Sequence, residues 1–124
     1  MKNLLKRALI GAIFLFMPMF ASAWIQVRAT YNNKGYASTV TANPSNSSNK
    51  TITSIKFIIV SKQISSSPFN TSGYSYDTKI ISTNIPPSQS KQVTIPFNLK
   101  EGYKFDGAFI EQVGYSDGTT KTYD

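Results

Sequence analysis

The side chains that could do chemistry in this chain are few, because the sequence contains neither histidine nor cysteine. That excludes Ser-His-Asp and Cys-His nucleophilic systems, thiolate chemistry and the usual zinc and copper sites. What remains is carboxylate chemistry, and the six carboxylates are Asp77, Glu101, Asp106, Glu111, Asp117 and Asp124.

These carboxylates form no pattern typical of a catalytic or metal site. A glycosidase needs two carboxylates facing each other across a cleft, yet Asp106 and Glu111 have an odd spacing and cannot share one face of a regular strand. A calcium loop needs several oxygen ligands at alternating positions, and Asp117–Thr119 supplies too few. We therefore predict no catalytic residues, no metal and no cofactor.

Four aromatic residues are the candidates for contact with a partner: Phe69, Tyr74, Tyr76 and Trp24. Tyrosine rings supply contact area at low entropic cost, and the Ser, Thr and Asn residues of Pro68–Tyr76 supply hydrogen bonds, so this segment could stack on a sugar or contact a protein. The structural alternative, which we favour, packs Tyr74 and Tyr76 onto a sheet and closes the core with Phe69. Trp24, the only tryptophan, could cover a sheet edge or be an exposed partner anchor, and we favour its segment as the first strand of the sandwich.

The N-terminus has the pattern of a bacterial export signal. Basic residues at positions 2, 6 and 7 precede the apolar run Ala8–Phe20, and Ala21–Ala23 supplies a small-x-small cleavage site. A membrane anchor is the alternative, but the run is shorter than the roughly 20 residues that span a bilayer. We predict a signal peptide at 1–23, a single domain at 24–124 without a membrane span, and a periplasmic or secreted location.

Charge indicates no nucleic-acid partner. The chain has 13 Lys and Arg residues against six Asp and Glu residues, and the basic residues after the leader are spread along the sequence without a cluster. The excess fits an acidic or anionic partner, and ordinary solubility fits it equally well.

Alternating hydrophobicity predicts strands throughout the rest of the chain. The segments are Trp24–Tyr31, Tyr36–Ala42, Thr51–Val60, Thr78–Ile85, Lys91–Phe97, Phe105–Tyr115 and Thr120–Asp124. No segment keeps a helical period for the 10–12 residues that a helix needs. We therefore predict an all-β fold, an immunoglobulin-like antiparallel β-sandwich of about seven strands.

Thr51–Val60 is predicted to be a central strand because it is apolar on both faces towards its end. Ile55, Phe57 and Ile59 would face the core, and the opposite face at Ile58 and Val60 would be covered by 61–76 or by a partner. In the longest alternation, Phe105, Gly107, Phe109, Glu111, Val113 and Tyr115 would share one face.

The loop Asn43–Lys50 is predicted from its Asn and Ser residues, whose side chains compete with a sheet ladder for backbone groups. It contains the sequons that begin at Asn46 and Asn49, and a third begins at Asn70. We expect these sequons to mark exposed loops.

The order of these signals resembles the small immunoglobulin-like domains of exported bacterial proteins called FxLYD-type. The likeness rests on the Asn/Ser loop, the strand Lys50–Phe57 that follows it, and the turn Ile85–Lys91 that precedes a later strand. It covers most of the chain after position 24 and concerns short structural motifs.

The match to the FxLYD motifs is incomplete. Phe57 and Ile59 stand at the first two anchor positions, whereas Val60 and Ser61 replace Tyr and Asp, and Ser88 replaces a glycine. The resemblance implies a sandwich fold and carries no active site, because that family is mainly of interaction or unknown function.

Three functions are therefore open. The first is an exported, non-enzymatic interaction module that binds an envelope or extracellular protein or glycan. The second is a structural subunit, a homo-oligomer that assembles through edge-strand pairing of Trp24–Tyr31. The third, and the least favoured, is a carboxylate-dependent hydrolase.

Overall fold

A computed structural model describes residues 23–64 and 73–123. These residues form eight strands and one short 3-10 helix at Gly35–Ala37. The strands are β1 (Ile25–Val27), β2 (Ala29–Asn32), β3 (Thr39–Ala42), β4 (Ile52–Gln63), β5 (Tyr74–Ile85), β6 (Val93–Pro96), β7 (Tyr103–Tyr115) and β8 (Thr120–Thr122). Within the described ranges, no helix is long and apolar enough to cross a membrane.

The strands form two antiparallel sheets that pack face to face. The larger sheet has the order β1-β7-β4-β5, with β8 also paired to β7, and the smaller sheet has the order β2-β3-β6. The orders β8-β7-β4-β5 and β2-β3-β6 correspond to the GFCC′ and ABE arrangements of immunoglobulin-like sandwiches. The predicted all-β sandwich is confirmed, with eight strands instead of about seven.

The main core lies between the two sheets. Ile55, Phe57 and Ile59 of β4 are fully buried, and they pack with Val40 and Ile95 of the smaller sheet. β4 pairs along its length with β5 on one side and with β7 on the other. The prediction that Thr51–Val60 is a central strand with these three residues facing the core is therefore confirmed.

The N-terminal strand differs from the prediction because it divides between the sheets at Arg28. Residues 25–27 pair with β7 and residues 29–32 pair with β3, while the carbonyl of Arg28 accepts a hydrogen bond from the Asn43 amide at 3.0 Å. Ile25, Ala29 and Tyr31 still pack against the same core. The alternation correctly predicted which side chains share a face, but the change of pairing partner turns one predicted strand into two.

The second predicted strand, Tyr36–Ala42, begins three residues later than expected. Gly35 has a φ of +67°, a left-handed conformation that favours glycine, and it starts the 3-10 helix that occupies Gly35–Ala37. Regular pairing with β2 and β6 then begins at Thr39.

The predicted face of Phe105–Tyr115 is wrong because β7 contains two bulges opposite β4. Asp106 and Glu111 are the extra residues where the register shifts, and each extra residue reverses the side to which the following side chains point. Phe105 and Val113 consequently pack in the main core, whereas Phe109 lies on the outer face of the larger sheet.

The predicted exposure of the sequon at Asn46 is also wrong. The side chain of Asn46 is only 2% exposed and donates hydrogen bonds to the carbonyls of Lys50 and Ile85 at 2.7 and 2.8 Å. Asn49 is exposed, as expected, and Asn70 lies outside the described residues.

Candidate partner-binding surface

A second, smaller apolar cluster covers the outer face of the larger sheet. Its buried residues are Ile58, Val60 and Phe109, and Trp24 and Tyr74 pack against them. We call Trp24, Tyr74, Tyr76 and Phe109 the outer aromatic cluster. The chain thus covers Ile58 and Val60 itself, partly with Tyr74 of the 61–76 segment, which was one of the two predicted covers, and partly with Trp24.

Strand register brings the four rings together. Val60 lies opposite Tyr76 and Lys62 lies opposite Tyr74, because β5 pairs antiparallel with β4. On the other side of β4, Ile58 lies opposite Phe109. Since residues directly opposite each other in a sheet share one face, both tyrosines and the phenylalanine emerge on the outer side.

Trp24 reaches this face from the far side of β7. It immediately precedes β1, whose first residue, Ile25, lies opposite Ile110 at the edge of the sheet. The centroid of its indole lies 6.2 Å from that of Phe109 and 6.3 Å from that of Tyr76, the latter in an edge-to-face arrangement. These separations are typical of favourable aromatic pairs.

Tyr76 is the exposed residue of the cluster, whereas Tyr74 and Trp24 are half-buried and Phe109 is buried. The ring centroids of the two tyrosines are 6.5 Å apart, and the ammonium group of Lys62 lies 5.9 Å from the Tyr74 centroid. Tyr76 is 45% exposed. Burial, with smaller contributions from Tyr74 and Asp106, raises the pKa of the Tyr76 phenol above its ordinary value. Like any tyrosine, its hydroxyl is protonated at neutral pH and can donate a hydrogen bond.

The predicted contact residues have different positions in this structure. Tyr74 packs onto the sheet, as the structural alternative proposed, whereas Tyr76 and Trp24 form an aromatic pair. Phe69 lies outside the described residues. Sequence reasoning missed Phe109, because the strict alternation placed it on the same face as Phe105 and Val113. Nothing local in the sequence links Trp24 to the tyrosines.

The carboxylates that have described partners pair with lysines. Glu111 contacts Lys56 at 3.2 Å on the larger sheet, and Asp117 contacts Lys50 at 3.0 Å beside the β7–β8 turn. Thr119 donates hydrogen bonds to Asp117 from its hydroxyl and its amide, and these bonds, with Lys50, lower the Asp117 pKa to about 2. Within 23–64 and 73–123, no three acidic residues form a group that could hold a metal ion.

The outer aromatic cluster is the best-formed candidate surface in the described part of the chain. It combines exposed ring area, a hydrogen-bonding phenol and a nearby cation, and the sheet beneath fixes its shape. Comparison of this chain with protein-family models, with curated proteins and with solved structures finds no match.

Proposed function

We propose that this protein is an exported, non-enzymatic binding module of the cell envelope or extracellular space. It contacts an envelope or extracellular protein or glycan through the outer aromatic cluster. The observation that carries the proposal is the partly exposed Tyr76 ring, held between Trp24 and Tyr74 on a rigid sheet. Rigid aromatic side chains with a polar tip are typical anchors of protein and sugar contacts.

Export fits this site because cleavage after Ala23 would leave Trp24 as the first residue of the mature chain. The domain at 24–124 would then carry the complete outer aromatic cluster. The FxLYD-type resemblance supports the proposed binding role, since it implies an interaction domain without an active site.

A non-enzymatic role is supported by the residue types that remain for chemistry. The chain has no histidine or cysteine, and Glu111 and Asp117 are engaged by lysines. A carboxylate-dependent hydrolase would need two carboxylates facing each other and free to exchange protons with a substrate, and salt bridges already engage two of the six.

Assembly through Trp24–Tyr31 has less support than partner binding. That segment supplies β1 to one sheet and β2 to the other, so each part already pairs with a strand of its own chain. β1 has only three residues and β2 four, which leaves little free edge for a second chain.

Co-sedimentation with isolated cell envelopes of the source organism tests the proposal. The purified protein is expected to bind envelopes saturably, and Tyr76→Ala is expected to weaken that binding about tenfold, as truncation of an aromatic anchor commonly does. The matched control is Tyr103→Ala, since Tyr103 is another half-exposed tyrosine of the same sheet that lies near a lysine.

Treatment of the envelopes separates the two partner classes. Protease treatment should abolish binding to a protein and leave binding to a glycan intact, whereas digestion of the envelope glycans should do the reverse. Absence of saturable binding to untreated envelopes, or equal binding by wild type and Tyr76→Ala, would overturn the proposal.

A further inference from the structure

The long strand β5 is an open edge of the larger sheet. It has 12 residues and pairs with β4 on one side, and within 23–64 and 73–123 no strand pairs with its other side. An unpaired strand of this length presents a row of backbone donors and acceptors to which another strand can be added.

The outer face of this edge is apolar at two places. Tyr76 is 45% exposed and Ile80 is 71% exposed, and Thr78 lies between them on the same face. They are two of the three large hydrophobic residues that are exposed in the described part of the chain. Covering so exposed an isoleucine with a second strand would remove apolar surface from water, and this favours pairing at the edge.

The inner face of the same edge carries one charge of each sign. Asp77 lies opposite Ile59 and Lys79 lies opposite Phe57, so both side chains point to the side of the smaller sheet. Neither takes part in a salt bridge with another described residue. Tyr76–Ile80 is therefore symmetric about Thr78. The negative and positive charges of Asp77 and Lys79 flank it, and the apolar side chains of Tyr76 and Ile80 lie two residues away.

We propose that two copies of this chain pair through β5, antiparallel, about a two-fold axis at Thr78. Each residue then lies opposite the one that is equally distant from Thr78 on the other side. By symmetry, the dimer contains two Asp77–Lys79 pairs and two Tyr76–Ile80 pairs, each between the two copies. Opposite charges and aromatic–aliphatic pairs are both favourable when directly opposite in a sheet.

The charges select this register over its neighbours. Moving the axis to Asp77 places that carboxylate opposite itself, and moving it to Lys79 places two ammonium groups opposite each other. Like charges directly opposite are destabilising. An axis at Ile80 leaves Lys79 opposite Ile81, so Thr78 is the position that satisfies both charges and both apolar residues.

The pairing would join two larger sheets into one continuous sheet with the outer aromatic cluster of each copy on the same side. Inward-pointing charges on an edge strand can instead serve to prevent edge pairing. That alternative predicts a monomer at every concentration, so measurement of the oligomeric state distinguishes it from the proposed dimer.

A single cysteine tests the axis without interference, because the chain contains no other. In the proposed dimer the two copies of residue 78 are about 4.5 to 5.5 Å apart between Cα atoms, within reach of a disulfide. The protein with Thr78→Cys, purified reduced and then oxidised, is expected to form a covalent dimer. The control Ser82→Cys lies on the same face, but its two copies would be about 27 Å apart.

Charge reversal tests the register independently by sedimentation equilibrium. The wild type is expected to dimerise with increasing concentration, and Asp77→Lys or Lys79→Asp should each weaken dimerisation by about tenfold or more, because two attractive pairs become repulsive. The double exchange Asp77→Lys with Lys79→Asp restores complementarity and should recover dimerisation.

Three results would overturn the inference. They are a wild type that stays monomeric at all concentrations, single reversals that dimerise as the wild type does, and Ser82→Cys cross-linking as well as Thr78→Cys. These substitutions leave all four residues of the outer aromatic cluster in place. Failure of the dimer and failure of envelope binding are therefore distinguishable.

Discussion

At the scale of single residues, Asn46 links a long loop to the main sandwich. Its amide nitrogen donates to the carbonyls of Lys50 and Ile85, and its oxygen accepts hydrogen bonds from the amide and hydroxyl of Ser48. Backbone bonds between Asn46 and 88–89 hold the same loop against the turn after β5. One buried amide thus satisfies polar groups from two segments that are distant in sequence.

We expect Asn46→Ala to lower the free energy of unfolding by about 2–4 kcal/mol. The substitution leaves the buried Ile85 carbonyl without its donor, removes one of two donors to the part-buried Lys50 carbonyl, and removes the acceptor of the two Ser48 bonds. An unsatisfied buried polar group costs about 1–3 kcal/mol, and each other lost bond adds about 0.5–1.5 kcal/mol. Urea unfolding followed by circular dichroism measures the change. Asn49→Ala is the matched control, because Asn49 is exposed in the same loop and should change stability by less than about 0.5 kcal/mol. Equal losses in the two variants would contradict this role for Asn46.

At the scale of elements, the bulges of β7 show what a periodic pattern can and cannot predict. The alternation correctly predicted a long strand at Phe105–Tyr115, because side chains point to opposite faces in turn. A bulge adds one residue to one strand only, so its position depends on the register with β4 and leaves no local sequence signal. The strand was therefore predictable, but the face on which Phe109 lies was not.

The candidate surface was predictable to a similar extent. Local composition singled out Tyr74 and Tyr76, because rings between small polar residues are unusual in a buried strand. The approach of Trp24 to Phe109 requires β1 and β4 to flank β7, and such long-range pairing cannot be read from one sequence. For the same reason, the open edge at β5 became visible only from the sheet order.

The bulges make a prediction that separates two phenylalanines of one strand. Phe109→Ala should lower stability by about 3 kcal/mol and shift the fluorescence of Trp24, whose indole packs against that ring. Phe105→Ala should also destabilise the protein but leave the emission unchanged, because Phe105 stacks on Tyr31 at the opposite face. An emission change of equal size in both variants would mean that the two rings share a face.

At the scale of the whole molecule, the larger sheet has apolar cover on both sides. β4 has the main core on one face and Ile58 and Val60 beneath the outer aromatic cluster on the other. A strand covered in this way can be apolar on both faces, as the sequence Phe57–Val60 is. Burial of both faces stabilises the sheet without disulfides, and within 23–64 and 73–123 no strand pairs with the outer side of β5.

The titratable groups of the whole chain restrict where its stability can depend on pH. There is no histidine, so no side chain has an ordinary pKa between about 5 and 8. The carboxylate of Asp117 has a pKa lowered from 3.8 to about 2 in the folded protein, first by the bonds from Thr119 and then by Lys50. The unfolded chain therefore binds a proton at this site at a higher pH than the folded chain does.

We expect stability to be nearly constant from about pH 5 to pH 8 and to fall in acid. A depressed carboxylate pKa stabilises the fold above the unfolded value of 3.8, and that contribution is lost as pH falls towards the folded value of about 2. Thermal unfolding at pH 2, 4 and 7 measures this dependence of stability on pH. Asp117→Asn should be less stable than the wild type at pH 7, with a difference that shrinks at pH 2. A difference between Asp117→Asn and the wild type that is the same at all three pH values would show that the carboxylate charge at this turn does not set the acid sensitivity.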